Sequence, residues 1–295
     1  MSAAVPSSNR WILGARPRTL PAAVVPVAVG TACAAGVDGA TWWRAVPALV
    51  VALALQVATN YVNDYADGVR GTDDARVGPV RLVASGLASP GEVKRAALLA
   101  FAVAGMAGAV LAVVVTPWLF VVGAVSMVAG WAYTGGPRPY GYLGLGEVFV
   151  FVFFGVVATA GTTFVVLEQL TWLSLYASLP VGCLPCALLV VNNLRDIPTD
   201  TVAGKRTLAV RLGDRRTRGL YVALLVVPYL LVPPFGLFGR PVAALALISV
   251  LIARRPLQRV IEGVRGPGLV VVLGETGRVQ LVFGLLLAVG LAVPV

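Results

Sequence analysis

Two clusters of amide and carboxylate side chains, each at the end of a long apolar run, have the residue types most able to do chemistry. The first cluster contains Asn60, Asp64 and Asp67 and closes an apolar run that begins at Ala45. The spacing i, i+4, i+7 places these three side chains on one face of a helix, and Asn63 shares that face with Asp67. Carboxylates at the mouth of a membrane helix are costly unless something binds them, so the cluster predicts a ligand site.

The second cluster also follows an apolar run and has nearly the same pattern. Asn192, Asp196 and Asp200 stand at i, i+4 and i+8. Pro198 predicts that the helix ends or kinks just after Asp196, which would place Asp200 at or past its end. The two clusters together indicate a degenerate internal repeat. We therefore expect a single transmembrane domain, residues 1–295, made of two similar halves.

The composition is typical of a membrane protein. Of 295 residues, 58% are apolar and 12% are charged, whereas a soluble protein carries about 25% charged residues. Long uncharged runs match the roughly 20 residues that a helix needs to cross a bilayer. They predict an all-α, polytopic membrane protein with about nine transmembrane helices, at 19–37, 45–63, 96–115, 117–134, 147–167, 173–192, 219–238, 241–253 and 278–294.

The basic charge fits a membrane better than a nucleic-acid partner. The net charge is +10, and a cytoplasmic N-terminus with nine spans leaves only Arg44 and Arg240, of 23 Lys and Arg residues, on the outer side. Positive residues concentrate in cytoplasmic loops beside anionic lipid. The excess of Arg over Lys, with much Ala, Gly, Val and Pro, suggests a bacterial genome rich in GC. We therefore expect membrane lipid but no nucleic acid as a partner, a bacterial plasma membrane location, an outer C-terminus and cytoplasmic acidic clusters.

Carboxylates with neighbouring cations suit Mg²⁺ and a diphosphate. Mg²⁺ takes oxygen ligands and is usually held by one or two carboxylates together with substrate phosphates, while Arg and Lys bind phosphate oxygens. The chain contains no histidine, which excludes His-based acid–base chemistry and His metal sites. At a membrane surface, this pattern predicts a lipid diphosphate whose tail lies between helices. The candidate cations are Arg76, Arg81, Arg138, Lys205 and Arg206.

An allylic diphosphate could ionise at such a site. Mg²⁺ and the cations would stabilise the leaving diphosphate, and aromatic rings would shelter the allylic cation with their negative faces. An electron-rich aromatic acceptor would then capture that cation without a histidine base. The available rings are those of Tyr65, Tyr133, Tyr142, Phe149, Phe153 and Phe154.

The two clusters resemble the Asp-rich motifs of the UbiA-type intramembrane aromatic prenyltransferases. The similarity is greatest to the branch that acts on 1,4-dihydroxy-2-naphthoate in menaquinone biosynthesis. In this chain Asp67 follows Asp64 by three residues rather than the more usual four, which that branch shares and which leaves the metal ligands of the first motif open. The resemblance is carried by residues 16–21, 60–73, 76–81, 133–139, 141–147, 192–196 and 204–208.

The resemblance implies nine transmembrane helices around a central cavity and a Mg²⁺-dependent transferase. The implied reaction moves a polyprenyl group from a polyprenyl diphosphate to 1,4-dihydroxy-2-naphthoate, with loss of CO₂ and release of diphosphate, and gives demethylmenaquinone. The implied catalytic residues are Asp64, Asp67, Asp196, Asp200 and Lys205, with the four carboxylates also holding the metal. The implied substrate-binding residues are Asn60, Asn63, Asp73, Arg76, Arg81, Tyr133, Arg138, Glu147, Asn192, Asn193, Arg195 and Arg206.

Other classes of membrane protein share some of these features. A relative could act on 4-hydroxybenzoate, homogentisate or a chlorophyllide. A CDP-alcohol phosphotransferase also places Asp clusters in a membrane, but its longer pattern does not follow Asp67 and Gly68. A transporter can combine internal repeats with charges inside the membrane. Here, however, the acids lie at helix ends and cations surround them.

Overall fold

The computed structural model describes residues 7–71 and 80–295, and over these residues the regular structure is helical throughout. A π-helical segment, Phe151–Val157, joins α6 to α7, and short 3₁₀ helices occupy several of the turns. The α-helices of the described residues are α1 (Ser7–Ala15), α2 (Pro21–Ala32), α3 (Ala45–Val69), α4 (Pro90–Val114), α5 (Trp118–Ala132), α6 (Gly146–Val150), α7 (Ala158–Leu167), α8 (Trp172–Val202), α9 (Leu208–Leu230), α10 (Val250–Ile261) and α11 (Pro267–Leu291).

Within the described residues, seven helical stretches are long and apolar enough to cross a membrane, which confirms a polytopic all-α fold. The two remaining predicted spans coincide with α2 and α5. These helices have 12 and 15 residues, or about 18 and 22 Å at 1.5 Å per residue, against a hydrocarbon core of about 30 Å. The predicted count of nine is therefore not confirmed. The seven stretches are Trp42–Val69, Pro90–Val114, Gly146–Leu167, Trp172–Val202, Leu208–Phe238, Pro241–Ile261 and Pro267–Leu291.

Pro198 is predicted to end or kink the helix of the second cluster, and the predicted helix end is wrong. Helix α8 continues through Pro198 to Val202, so Asp200 lies inside the helix. Proline removes only one backbone donor. In the same turn the hydroxyls of Thr199 and Thr201 donate to the carbonyls of Asp196 and Ile197 at 3.0 and 2.7 Å. These bonds add to the helix around Pro198, although neither replaces the bond to the Leu194 carbonyl that proline removes.

The predicted start of the last span at residue 278 is also wrong. Helix α11 begins at Pro267 and therefore includes Glu275 and Arg278. Glu275 is tolerated there because Arg259 of α10 lies beside it, with Nε 3.4 Å from Oε2. A charged residue inside a membrane helix can be paired by a neighbouring segment, which a hydropathy pattern does not reveal.

Helix α8 lies at the centre of the bundle and packs against α9, α11 and the π-helical segment. Glycines allow the π-helical segment to touch α8, because a Cβ on Gly155 would lie only 2.7 Å from the Cα of Gly182. Small residues permit this close approach between membrane helices. The contact brings α6 against the polar end of α8, where Asn193 Nδ2 donates to Glu147 Oε1 at 3.1 Å.

Helix α3 carries the first cluster and is held by α4, α5 and the N-terminal segment. Tyr61, Phe101 and Leu82 are buried in the apolar core between these elements. The Tyr61 hydroxyl donates to the carbonyl of Trp11 at 2.9 Å, which fixes α1 against α3. This packing positions Arg16, just after α1, beside the first cluster.

Candidate active site

Both acidic clusters line one cavity of about 640 Å³. The polar end of the cavity combines carboxylates, amides and cations from α3, α8, the N-terminal segment and two loops. The rest of the cavity is apolar and runs between α3, α5 and α7. The polar lining residues that the sequence predicted as site residues are Asn60, Asn63, Asp67, Arg81, Tyr133, Asn192, Asn193, Asp196, Asp200 and Lys205.

A cation that follows the second cluster pairs with a carboxylate of the first. Lys205 Nζ lies 3.1 Å from Asp67 Oδ1, and both side chains are buried. The hydroxyl of Tyr142 donates to the same carboxylate oxygen. The Lys205 ammonium also lies 4.8 Å from the centre of the Tyr142 ring, a cation–π distance. The two clusters are therefore at the same end of the bundle, as the sequence predicted.

Asp64 lies behind the cavity wall rather than in it. Its side chain is fully buried and accepts hydrogen bonds from Arg16, from Arg81 Nη1 at 2.6 Å and from the backbone N–H of Leu82 at 3.1 Å. Both arginines line the cavity, whereas Asp64 is not among its described lining residues. In this structure the carboxylate of Asp64 orients two cations that face the cavity. Its role as a metal ligand stays a prediction.

The two asparagines of the first cluster tie α3 to neighbouring segments. Asn60 Nδ2 donates to the Ala15 carbonyl at 2.9 Å and to Thr19 Oγ1 at 3.0 Å. Asn63 Oδ1 accepts a hydrogen bond from Thr134 Oγ1 at 2.6 Å. Each amide is thereby oriented by hydrogen bonds to an element outside α3.

The second cluster is ordered by a buried arginine. Arg195 donates to both carboxylate oxygens of Asp196 at 2.7 Å and to Asn192 Oδ1 at 3.0 Å. Because Arg195 does not line the cavity, it acts on the site by orienting these two side chains. Glu147 is likewise not among the described lining residues, and its Oε1 accepts a hydrogen bond from the side-chain amide of Asn193, which does line the cavity. Its other oxygen has no hydrogen-bond partner among the described residues.

The structure does not bring every predicted site residue to the cavity. Arg138 and Arg206 are exposed and are not among the described lining residues, because each lies in a surface turn between helices. Arg206 instead contributes its backbone N–H, which donates to the Tyr142 carbonyl at 3.0 Å. Asp73 and Arg76 lie outside the described residues.

Two cations of the cavity lining, Arg16 and Arg18, are not among the predicted site residues. Arg16 has left-handed backbone geometry, with φ of 53°, which is uncommon for a residue other than glycine. Its side chain nevertheless lines the cavity and pairs with Asp64. The available signal was the Arg-Pro-Arg segment before the first span, whose basic residues precede the helix that packs beside α3.

Aromatic rings line the cavity beside the polar end. Tyr140 and Phe149 stack with ring centres 3.9 Å apart, and Phe153 follows at 6.0 Å from Phe149. Burial raises the pKa of the Tyr140 hydroxyl, which therefore stays protonated and donates to the Ala129 carbonyl at 2.9 Å. The negative faces of such rings can stabilise a nearby cation.

The fold and the cavity together define a polytopic helical membrane protein that can hold a charged head group and an apolar tail in one site. The chain matches the UbiA prenyltransferase family over residues 23–267. It is 50% identical over 286 residues to the 1,4-dihydroxy-2-naphthoate octaprenyltransferase of Mycobacterium tuberculosis, covering 97% of this chain and 98% of that protein. It is 35% identical over 246 residues to the Escherichia coli protein of the same name, covering 79% and 78%.

Solved structures have the same fold. The UbiA homolog from Archaeoglobus fulgidus bound to GPP and Mg²⁺ superposes with a TM-score of 0.63 and 14% identity, covering 93% of this chain and 98% of that one. The chain belongs to the UbiA prenyltransferase family. The family membership and the helical membrane fold predicted from the sequence are thereby confirmed.

Proposed function

We propose that the protein transfers a polyprenyl group from an allylic polyprenyl diphosphate to 1,4-dihydroxy-2-naphthoate. The bond between the allylic carbon and the diphosphate oxygen breaks, and that carbon forms a bond to the naphthoate ring carbon that carries the carboxylate. CO₂ and diphosphate leave, the electron pair of the broken carboxylate bond restores the aromatic ring, and the product is the hydroquinone form of demethylmenaquinone, with both hydroxyl groups retained. Relatives named 1,4-dihydroxy-2-naphthoate octaprenyltransferase, at 50% and 48% identity over nearly the whole chain, support this choice of acceptor.

The observation that carries the proposal is that both acidic clusters lie at the polar end of one cavity. The rest of this cavity, between α3, α5 and α7, is called the apolar limb. In the proposed complex, Lys205, Arg16 and Arg81 bind diphosphate oxygens and stabilise the negative charge that develops as the diphosphate departs. The apolar limb receives the prenyl tail and excludes water from the allylic cation. Tyr140 and Phe149 border the same space and present aromatic faces to that cation.

The residues present suit Mg²⁺. Asp67, Asp196 and Asp200 line the cavity with the amides of Asn60 and Asn192, a set of hard oxygen donors. No group of three or more His, Cys, Asp or Glu side chains close enough to hold a metal occurs in the described part of the chain. Mg²⁺ does not require such a cage, because it is commonly held by one or two carboxylates, waters and substrate phosphates. When bound there, the ion would neutralise charge on the leaving diphosphate.

We also propose that the chain works as a single domain in a bacterial plasma membrane with its polar cavity end facing the cytoplasm. The strong bias of Lys and Arg to one side supports this orientation. It would place the polar end of the cavity where a soluble naphthoate and a released diphosphate can exchange with water. Cysteine labelling of loops in intact cells would measure the orientation.

The test is turnover by purified protein in lipid nanodiscs. Geranylgeranyl diphosphate and Mg²⁺ are supplied with 1,4-dihydroxy-2-naphthoate, 4-hydroxybenzoate or homogentisate, and the products are identified by mass spectrometry. We expect a prenylated, decarboxylated product with the naphthoate and none with the other acceptors. An Asp67→Asn variant serves as the control for contaminating activity. Product with 4-hydroxybenzoate but none with the naphthoate would overturn the proposal.

A further inference from the structure

The apolar limb of the cavity continues deep into the bundle. Along α3 its lining residues run from Asn60 to Ala48, a distance of about 18 Å at 1.5 Å per residue. At the far end the lining residues Leu111, Leu119 and Val165 belong to a packed apolar cluster. The limb is therefore about 18 Å long and ends at packed apolar side chains.

Gly161 of α7 lines this limb and faces open space. A Cβ built on Gly161 would meet no heavy atom within 4 Å, and its φ is not among the positive values that favour glycine. Gly30 and Gly155 differ, because a Cβ on either would come within 2.2 or 2.7 Å of a backbone atom of a neighbouring helix. Helix packing therefore explains Gly30 and Gly155 but not Gly161. A glycine inside a helix also costs roughly 1 kcal/mol relative to alanine.

The missing side chain at position 161 instead leaves cavity volume. The neighbouring lining positions on the walls of the limb are small as well, with Ala158 on α7 and Ala52 on α3. A leucine side chain has nearly as many carbon atoms as one isoprene unit. A leucine at position 161 would therefore occupy space equivalent to almost one unit of a bound tail, and its Cβ would meet no other atom within 4 Å.

We propose that Gly161 is a determinant of prenyl chain length. The inference rests on the proposed function: if the head of the allylic diphosphate binds at the polar end, its tail extends along the limb towards Leu119 and Val165. The bare backbone at position 161 keeps the limb wide enough for the distal isoprene units. A side chain there would exclude those units and leave shorter tails as the better substrates.

The test compares donors of increasing length with wild-type protein, Gly161→Ala and Gly161→Leu. Geranyl, farnesyl, geranylgeranyl and octaprenyl diphosphate are each assayed with Mg²⁺ and the acceptor that the wild type uses. We expect Gly161→Leu to lower the ratio of kcat/KM for geranylgeranyl to geranyl diphosphate by roughly tenfold or more, because several buried carbons of the tail lose their place. Gly161→Ala should give a smaller change in the same direction.

The matched control is Gly105→Leu in α4. Gly105 lies as many residues after the start of its span as Gly161 does, and a Cβ there would meet only Met127 Cε, at 4.0 Å. It does not belong to the described lining of the cavity. We expect this variant to keep the wild-type ratio between long and short donors.

An unchanged ratio in Gly161→Leu, or an equal loss for all donors, would overturn the inference. If Gly161→Leu does not fold, Ala52→Leu narrows the same limb from α3 and should lower the ratio in the same way; an unchanged ratio in that variant would overturn it equally. If the wild type uses no allylic diphosphate at all, the proposed function fails instead. In that case the shift in melting temperature that each donor causes is measured for the wild type and the variants. This measurement tests whether Gly161 limits tail length without relying on turnover.

Discussion

Asp64 offers the sharpest test of how the site is built. Replacing Asp64 by Asn keeps the shape of the side chain but removes the charge that two partly buried arginines share. The exposed fractions of the Arg16 and Arg81 side chains are only 16% and 10%, and Asp64 itself has none. Breaking a buried ion pair by removing one partner costs about 3–5 kcal/mol. The partial exposure of both arginines puts the expected loss near the lower figure, about 3 kcal/mol.

That loss is large enough to measure as a melting temperature in detergent. A change of 1 kcal/mol shifts the midpoint by about 2–4 °C in proteins of 150–250 residues, so we expect a decrease of roughly 6–12 °C. The matched control is Asp200→Asn, since Asp200 is a partly exposed carboxylate of the same cavity. Under the proposed function both variants lose prenyl transfer, but only Asp64→Asn loses this much stability.

The ion pair itself can be isolated with a double-mutant cycle. Arg81→Gln combined with Asp64→Asn should cost less than the two single changes added together, because each single change already breaks the same contact. A melting temperature of Asp64→Asn within about 2 °C of the wild type would refute the structural role of Asp64. Additive effects in the cycle would show that Arg81 and Asp64 do not depend on each other.

Three further predictions address the metal, the cation and the helix packing. Excess EDTA should stop turnover and added Mg²⁺ should restore it, measured as product formed per minute; persistent turnover in metal-free buffer would count against the metal. Lys205→Met should lower kcat by about 10²–10³-fold, as expected when one stabilising donor is removed, and a wild-type rate would exclude Lys205 from diphosphate binding. Gly155→Ala should cost about 1–3 kcal/mol in thermal stability because its Cβ would crowd the Cα of Gly182, whereas Gly105→Ala, whose Cβ would meet only Met127 Cε at 4.0 Å, should not.

Much of the site was accessible from local sequence because the clusters repeat with helical spacing. The spacing places Asn60 and Asp67 on one face of α3, and Asn192 and Asp196 on one face of α8. The structure brings all four to one cavity. The sequence does not show which of the neighbouring basic residues line the cavity and which are exposed. Lys205 reaches the cavity whereas its neighbour Arg206 is exposed, because the orientation of consecutive residues in a turn depends on tertiary contacts.

Helix boundaries were predictable only where hydropathy decides them. The sequence predicts that Pro198 ends or kinks α8, but the helix continues to Val202. The predicted start of α11 is too late because Glu275 resembles a loop residue until its ion pair with Arg259 is known. In the second case a non-local partner outweighed the local pattern.

The sequence by itself determined that this is a helical membrane protein of the UbiA family with two acidic clusters, since apolar runs and motif spacing are local properties of the chain. Only the tertiary structure decided which polar groups face the cavity. It turned Asp64 towards Arg16 and Arg81, placed Arg195 behind Asp196, and left open space beside Gly161. These outcomes depend on how helices far apart in sequence pack. The partner of a buried charge and the walls of a cavity are supplied by residues of different helices.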